Sequence, residues 1–130
     1  YLNIHHLFYF VQTLHQVFEK KDDSQNKRIL LFACARDKDA KDIAPLFKNE
    51  FDFVFLTKPG NVKQSDLQTL THAFDEAKIN YDMNEDFKMQ IQKAIKKASD
   101  ENAILLVTGS FYLIAEVKKM LLDVHSRHAF

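Results

Sequence analysis

Apolar residues at Ile4, Leu7, Phe10, Val11, Leu14, Val17 and Phe18 recur at helical spacing, with polar Gln12, His15 and Glu19 on the other side. This spacing predicts an amphipathic helix at the start of the chain, ending near Lys20. A polar stretch over 21–27 then gives way to Ile29-Leu30-Leu31-Phe32-Ala33-Cys34, an unbroken apolar run that suits a strand covered on both faces. Ile43, Ala44, Leu46 and Phe47 predict a short helix with Asp39 or Asp42 in its first turn, where a carboxylate meets the positive helix end. A second strand over 51–56 is closed by Thr57-Lys58-Pro59-Gly60-Asn61, in which Pro-Gly marks a turn. Ser65-Asp66-Leu67-Gln68 has the spacing of a capping box and opens a helix faced by Leu67, Leu70, Ala73, Phe74 and Ala77. Residues 79–83 are a weaker strand candidate. The helix after them, from about Glu85, turns Phe87, Ile91, Ala94, Ile95 and Ala98 inward and leaves Lys88, Lys93, Lys96 and Lys97 as a solvated face. Ala103-Ile104-Leu105-Leu106-Val107 is the third strong strand. Thr108-Gly109-Ser110 joins it directly to a helix carrying Leu113, Ile114, Val117, Met120 and Leu121, and the pattern assigns nothing to 123–130.

The order is one helix followed by four strand-helix alternations, which argues for an α/β, Rossmann-like three-layer sandwich with a mostly parallel sheet. A chain of 130 residues with 46% apolar, 28% charged and 12% aromatic types fits a single domain over 1–130. At this length about two-thirds of the unfolded surface is buried on folding, enough for a real core around the twelve phenylalanines. Eighteen basic and eighteen acidic residues cancel, so no global field draws the chain to nucleic acid or anionic lipid. One cysteine excludes an internal disulfide framework and, with six histidines, argues against a structural metal site. That usage suits a reducing cytoplasm. No apolar stretch approaches the ~20 residues that span a bilayer, and no basic segment followed by an apolar run marks a secretory leader.

In open α/β sheets ligands gather beyond the carboxyl ends of the strands, where helices begin and present unpaired N–H groups. Three loops therefore carry the candidate chemistry. Thr108-Gly109-Ser110 lets the backbone turn sharply and sets a hydroxyl beside a helix N-terminus. It could hold a carboxylate or phosphate, or Ser110 could simply cap the helix. Asp37-Lys38-Asp39 places an ammonium between two carboxylates and could clamp an amino acid, help place a metal-bound phosphate, or solvate a turn. Lys58, in Thr57-Lys58-Pro59, could orient a substrate carboxylate or be an ordinary surface lysine. His5 and His6 are adjacent and diverge on a helix, so they do not form the i, i+4 pair that ligates metals. His125, Arg127 and His128 make a small basic tail of no evident role. Cys34 reads as a small buried hydrophobe, and nothing near it in sequence identifies an activating base for a nucleophile. With Gly60 and Gly109 as the only glycines, the chain has neither a phosphate-binding P-loop nor a G-x-G-x-x-G turn, and it also lacks a G-x-S-x-G elbow and an H-E-x-x-H pair. A self-sufficient enzyme is hard to build from these parts.

The stretch Ala103-Ile104-Leu105-Leu106-Val107-Thr108-Gly109-Ser110-Phe111-Tyr112-Leu113-Ile114-Ala115-Glu116-Val117 resembles the terminal strand, Thr-Gly-Ser turn and helix of folylpolyglutamate synthases, within the Mur-type ligases. Asp37-Lys38-Asp39 after one strand and Phe55-Leu56-Thr57-Lys58-Pro59 at the next follow the order of that family's carboxyl-terminal domain. The resemblance implies the closing domain of an ATP-dependent ligase, in some bacterial members also a dihydrofolate synthase, in which a folate or pteroate carboxylate is phosphorylated and L-glutamate attacks the acyl phosphate to form an amide. It implies that ATP and magnesium are held mainly by a central ATPase domain of the same polypeptide. The domain seen here would then receive glutamate and close over the nucleotide, with no catalytic residue of its own and no activity alone. Residue by residue, it assigns Ser110, Thr108, Gly109 and Lys58 to the glutamate side, and Asn3, Asp37, Lys38 and Asp39 to the nucleotide or interdomain side. It assigns no metal ligand.

The amino end departs from the family pattern. A strand ending in Asp-Gly-Ala-His-Asn-Pro is expected before the first helix, and only Asn3 fits, with Tyr1 and Leu2 in place of alanine and histidine and Ile4 in place of proline. Either the chain has been cut through this motif or its ligand function has decayed; the cut is the expectation, because the rest aligns so well, and it would leave the sheet without its first strand and let the piece associate with itself through the surface so exposed. Two other readings stand beside the ligase domain. One is a non-catalytic Rossmann-like binding or regulatory module, in which Ser110 and Asp37 serve packing and protein contacts. The other is a stand-alone hydrolase or transferase using Cys34.

Overall fold

The computed structural model describes residues 27–34, 40–60 and 66–128, with side chains up to 123. The predicted opening helix, Asn3, the Asp37-Lys38-Asp39 turn and Ser65 lie outside them. Arg28–Phe32 forms β1, and Ala40–Ile43 forms α1, which runs into a 3-10 turn at Ala44–Phe47. Phe53–Thr57 is β2, Leu67–Glu76 is α2 and Asp82–Asn84 is β3. Phe87–Asp100 is α3, Ile104–Thr108 is β4 and Phe111–His128 is α4.

The strands lie in the order β3-β2-β1-β4, and every pairing is parallel. Alternation along the strands divides the core into two layers. Leu30, Phe32, Val54 and Leu56 point to one face and meet Ala40, Ile43, Phe47, Leu70 and Phe74 from α1, the 3-10 turn and α2. Ile29, Leu31, Ala33 and Phe55 point to the other face and meet Phe87, Ile91, Ala94, Leu113 and Val117 from α3 and α4. The handedness of parallel crossovers explains this division. From β1 to β3 the chain steps one way across the sheet and its connecting helices cover one face. The connection through α3 steps back past β1 to β4, so with the same hand its helix covers the opposite face.

The predicted α/β sandwich is thus present, with local corrections. The helix expected at 43–47 begins at Ala40 and tightens to 3-10 at Ala44, because Pro45 has no N–H to continue an α-helical ladder. The second strand starts at Phe53, since Asp52 is occupied in a turn: its N–H donates to the Arg28 carbonyl (2.8 Å) and its Oδ2 accepts from the Arg28 N–H (2.8 Å). The weak strand sits at 82–84. Asp66 caps α2, accepting the Thr69 N–H on Oδ1 at 3.1 Å, the position a Ser65 capping box would have filled. Residues 123–128, left without assignment by the pattern, continue α4.

The lysine face of α3 is not uniformly solvated. Lys93 reaches the sheet edge and pairs with Asp82 Oδ2 at 2.9 Å, and Lys97 lies over the Phe53 ring at 4.5 Å while pairing with Glu101 at 2.6 Å. Their aliphatic stems cover sheet while their charged heads stay near water. Gln90, fully buried, donates from Nε2 to the Leu56 carbonyl (3.0 Å) and the Asp82 carbonyl (2.8 Å), tying α3 to β2 and the start of β3. Burial is the largest influence on Asp82 and pushes its carboxyl up. Hydrogen bonds from Lys93 and Gln90 and the Lys93 charge together outweigh it and hold the group below its ordinary value. A carboxyl depressed in the folded state stabilises above its unfolded titration range and loses that stabilisation as the pH falls through its folded one. Lys93→Met is expected to lower stability near neutral pH and to flatten the acid limb of a denaturation-midpoint versus pH profile.

Phe74 anchors the first layer. It is completely buried, with its ring centroid 6.0 Å from Phe32 and 6.3 Å from Phe47. Phe74→Ala is expected to cost about 3–5 kcal/mol in urea or guanidinium unfolding, as transfer and cavity costs add.

Candidate functional site

Because β4 returns to the far side of β1, the strand order reverses between these two strands, and the crevice beyond their carboxyl ends is where a ligand is expected in an open parallel sheet. Two of the three predicted loops have described residues at this end, together with the exit of β1. β1 continues into Ala33 and Cys34, and the Ala33 N–H donates to the Thr108 carbonyl at 3.4 Å. β2 exits through buried Thr57, half-buried Lys58, and buried Pro59 and Gly60. β4 exits through Thr108, Gly109 and Ser110 into α4.

Gly109 is fixed by a close approach. Its φ is +100°, and a Cβ built there would lie 2.0 Å from the Ala33 carbonyl oxygen and 2.7 Å from the Phe32 ring. The floor of the crevice is therefore main chain against main chain. Ser110 then opens α4. Its Oγ accepts the Leu113 N–H at 3.3 Å, and its carbonyl accepts the Ile114 N–H at 3.1 Å, the first bond of the helical ladder. The N–H groups of Phe111 and Tyr112 precede that bond, so no carbonyl stands behind them within the helix. Serine in the capping role still has its own hydroxyl hydrogen to donate. The cap and the anion site that the sequence left as alternatives are thus compatible in one residue.

Gly60 is the counterpart on β2. A Cβ there would fall 2.0 Å from Cε1 and 2.3 Å from Cδ1 of Tyr112, and the backbone sits at φ +152°. Tyr112 also meets Phe87, at the start of α3, edge to face at 6.4 Å between centroids. Thr57 Oγ1 donates to the Asn84 carbonyl at 2.8 Å, tying the ends of β2 and β3. Phe111, at the first position of α4, is 74% exposed, an unusual place for a phenylalanine in a chain with such a large core.

The structure thus brings the Thr108-Gly109-Ser110 turn and the Lys58-Pro59-Gly60 loop to one end of the sheet and joins them through Tyr112. Of the other candidates, Cys34 is half-buried just past the end of β1 and packs against the first core layer. Asn3, Asp37, Lys38, Asp39, His5 and His6 lie outside the described residues. Among the described residues no three His, Cys, Asp or Glu side chains converge as metal ligands. Sequence spacing did not single out Tyr112 or Gly60 as partners. Their signal was the scarcity of glycine: the chain has two, and both close this end of the sheet.

The family model of the Mur ligase, glutamate ligase domain matches residues 3–111, most of the chain and all four strands of this sheet. The chain belongs to that family. Among solved structures, this Mur ligase domain is similar to a folylpolyglutamate synthase from Thermotoga maritima, with 22% identity and a TM-score of 0.74 over 92% of this chain and 26% of that one. It is also similar to the Mycobacterium tuberculosis folylpolyglutamate synthase complexed with ADP and AMPPCP, with 21% identity and a TM-score of 0.70 over 93% of this chain and 28% of that one. A third similar structure is the bifunctional folylpolyglutamate synthase/dihydrofolate synthase of Yersinia pestis with AMPPNP and Mn, with 20% identity and a TM-score of 0.65 over 93% of this chain and 27% of that one. The chain thus spans about a quarter of the length of these proteins, and the likeness is one of fold. No curated protein matches the sequence.

Gly109→Ala is expected to be among the most damaging single-methyl additions available. The Cβ would collide with a carbonyl that β1 cannot move, at a backbone angle that already disfavours L-residues, costing more than about 2 kcal/mol in unfolding experiments.

Proposed function

We propose that this chain is the carboxyl-terminal domain of an ATP-dependent ligase that adds L-glutamate to a folate or pteroate carboxylate, with its Thr108-Gly109-Ser110 turn receiving a carboxylate of the incoming amino acid. One observation carries the reading: in a Mur ligase domain, the switch point of the sheet holds a glycine-enabled turn that presents a serine hydroxyl and an open helix N-terminus. That combination suits an anion, since free N–H groups and the positive helix end face it together. Lys58, on the neighbouring loop, would supply the countercharge for a second carboxylate. The folylpolyglutamate synthases similar in fold place such a domain in chains roughly four times longer, and those of Mycobacterium tuberculosis and Yersinia pestis were solved with adenine nucleotides.

In this reading ATP supplies the activation of the folate carboxylate, and a central ATPase domain of the same polypeptide is the partner. The described residues contain no three-ligand acidic cluster, and the chain has no glycine-rich phosphate loop, so no step is assigned through magnesium or ATP here. What the chain's own residues do is bind and orient. They hold the amino acid so that its amine meets the activated carboxyl, and they exclude water when the domain closes, effects that together lower the barrier by several kcal/mol. Asn3, Asp37, Lys38 and Asp39 are the residues proposed to face the nucleotide and central domain. Among the described residues no helix is long and apolar enough to cross a membrane, and the single cysteine supports a cytoplasmic setting.

Ser110→Ala in the intact ligase is expected to raise the KM for glutamate by about tenfold while leaving that for ATP within about twofold, since one hydrogen bond to a charged group contributes about 1.5–3 kcal/mol. Steady-state kinetics with each substrate varied in turn checks this. Equal changes in both constants would remove Ser110 from the amino-acid side, and no change in either would favour a non-catalytic binding module.

A further inference from the structure

The two loops proposed to hold the amino acid belong to different crossovers, β2 to α2 and β4 to α4; the ladder pairs β2 with β1 only as far as Leu56 and reaches the second loop only at Thr108, so among the described residues no main-chain hydrogen bond joins Lys58-Pro59-Gly60 to Gly109-Ser110. Something else must fix their separation. Tyr112 is the side chain placed to do so. It lies two residues after Ser110 on the first turn of α4, its ring is seated on Gly60 so closely that no side chain fits there, and the same ring meets Phe87 edge to face at 6.4 Å between centroids. Pro59 and Gly60 are buried although they lie in a loop, and Lys58 directly precedes them.

We infer that Tyr112 is a positioning residue: in contact with both Gly60 and Phe87, it locks the Lys58-Pro59-Gly60 loop to the Thr108-Gly109-Ser110 turn so that the two halves of the amino-acid site hold one fixed spacing. The inference rests on the glutamate reading for its consequence, though not for the lock itself. The ring does this work through its shape. One edge of the ring, Cδ1 and Cε1, fits against a bare Cα, whereas a branched or short side chain would leave the Gly60 loop unsupported and free to drift relative to Ser110. The phenol hydroxyl is not needed for the lock, which separates this role from a direct contact with substrate. Gly60 is the matching half, because any Cβ at that position meets the ring.

The test uses the intact ligase with Tyr112→Phe, Tyr112→Leu, Gly60→Ala and the double variant Tyr112→Leu/Gly60→Ala, read by glutamate and ATP kinetics and by amide hydrogen exchange. Tyr112→Phe is expected to keep both KM values within about twofold. Tyr112→Leu is expected to raise the glutamate KM about tenfold with little change for ATP, since small misplacements in a positioned site carry large penalties. It is also expected to speed exchange in both 57–60 and 108–112 while leaving β1 and α2 protected. Gly60→Ala should harm the wild-type background more than the Tyr112→Leu background, because the ring it collides with has gone. Three results overturn the inference: Tyr112→Phe as harmful as Tyr112→Leu, unchanged exchange over 57–60 in Tyr112→Leu, or additive effects in the double variant. If Tyr112→Leu unfolds the protein, the Phe variant and the exchange pattern of Gly60→Ala still decide, since a lock requires that Gly60→Ala loosen 108–112 as well. A Ser110→Ala variant with unaltered glutamate KM would instead remove the glutamate reading, and the exchange coupling would stand or fall separately.

Discussion

The site end of this domain depends on one close approach, the Gly109 main chain against the Ala33 carbonyl oxygen. Parallel neighbours β1 and β4 bring their carboxyl ends side by side, with Phe32 in register with Thr108. For α4 to start at once, the chain after Thr108 must fold across the exit of β1, and only a residue without a side chain clears both that carbonyl and the Phe32 ring. The same turn sets where Ser110 lies, where the helix N-terminus points and where Tyr112 meets Gly60. A single steric requirement thus fixes the hydroxyl, the unpaired N–H groups and the neighbouring loop together.

Glycine use elsewhere reinforces this. Helix ends commonly recruit glycine for the left-handed residue that follows the last turn. Here those places are filled by Lys78 after α2 and Asn102 after α3, at φ 59° and 50°, and Asn49 takes φ 65° after the 3-10 turn. Asparagine tolerates that region and lysine accepts a modest strain there. Conformational freedom alone was therefore not what kept glycine at 60 and 109. Lack of a Cβ, with a ring or a carbonyl where it would be, is the property in use.

Much of the fold was legible because its signals are local and repeated. Unbroken apolar runs marked β1 and β4 as strands between two layers, and helical spacing marked α2, α3 and α4. The three-layer arrangement follows from strand-helix alternation plus the fixed hand of crossovers, neither of which needs a distant contact to be known. What spacing could not show depends on contacts between segments far apart in sequence. Lys93 and Lys97 looked solvated because their own helix puts them on its polar side, yet Asp82 and the Phe53 ring lie within reach of that side. Asp66 rather than Ser65 took the cap, a one-residue choice that two adjacent capping types leave undecided. The Thr-Gly-Ser turn was readable as a candidate anion site, but the Gly60–Tyr112 contact joins residues fifty-two positions apart, and no periodicity encodes it.

A magnitude bounds what such a site does on its own. A partly buried helix N-terminus contributes up to about 2 kcal/mol to an anion, and a hydroxyl hydrogen bond to a charged group contributes about 1.5–3 kcal/mol. Millimolar affinity already needs about 4 kcal/mol after translational and side-chain ordering costs are met. Ser110 and the α4 terminus would therefore hold an amino-acid carboxylate only weakly in the proposed site, even with the half-buried Lys58 adding its charge. In the proposed ligase, weakness of this kind is useful, because binding then becomes strong only when the domain closes and the remaining contacts come from the opposite wall of the cleft. An amino acid bound tightly to this domain alone would be held as well in the open state as in the closed one, and its binding energy would do nothing to drive closure.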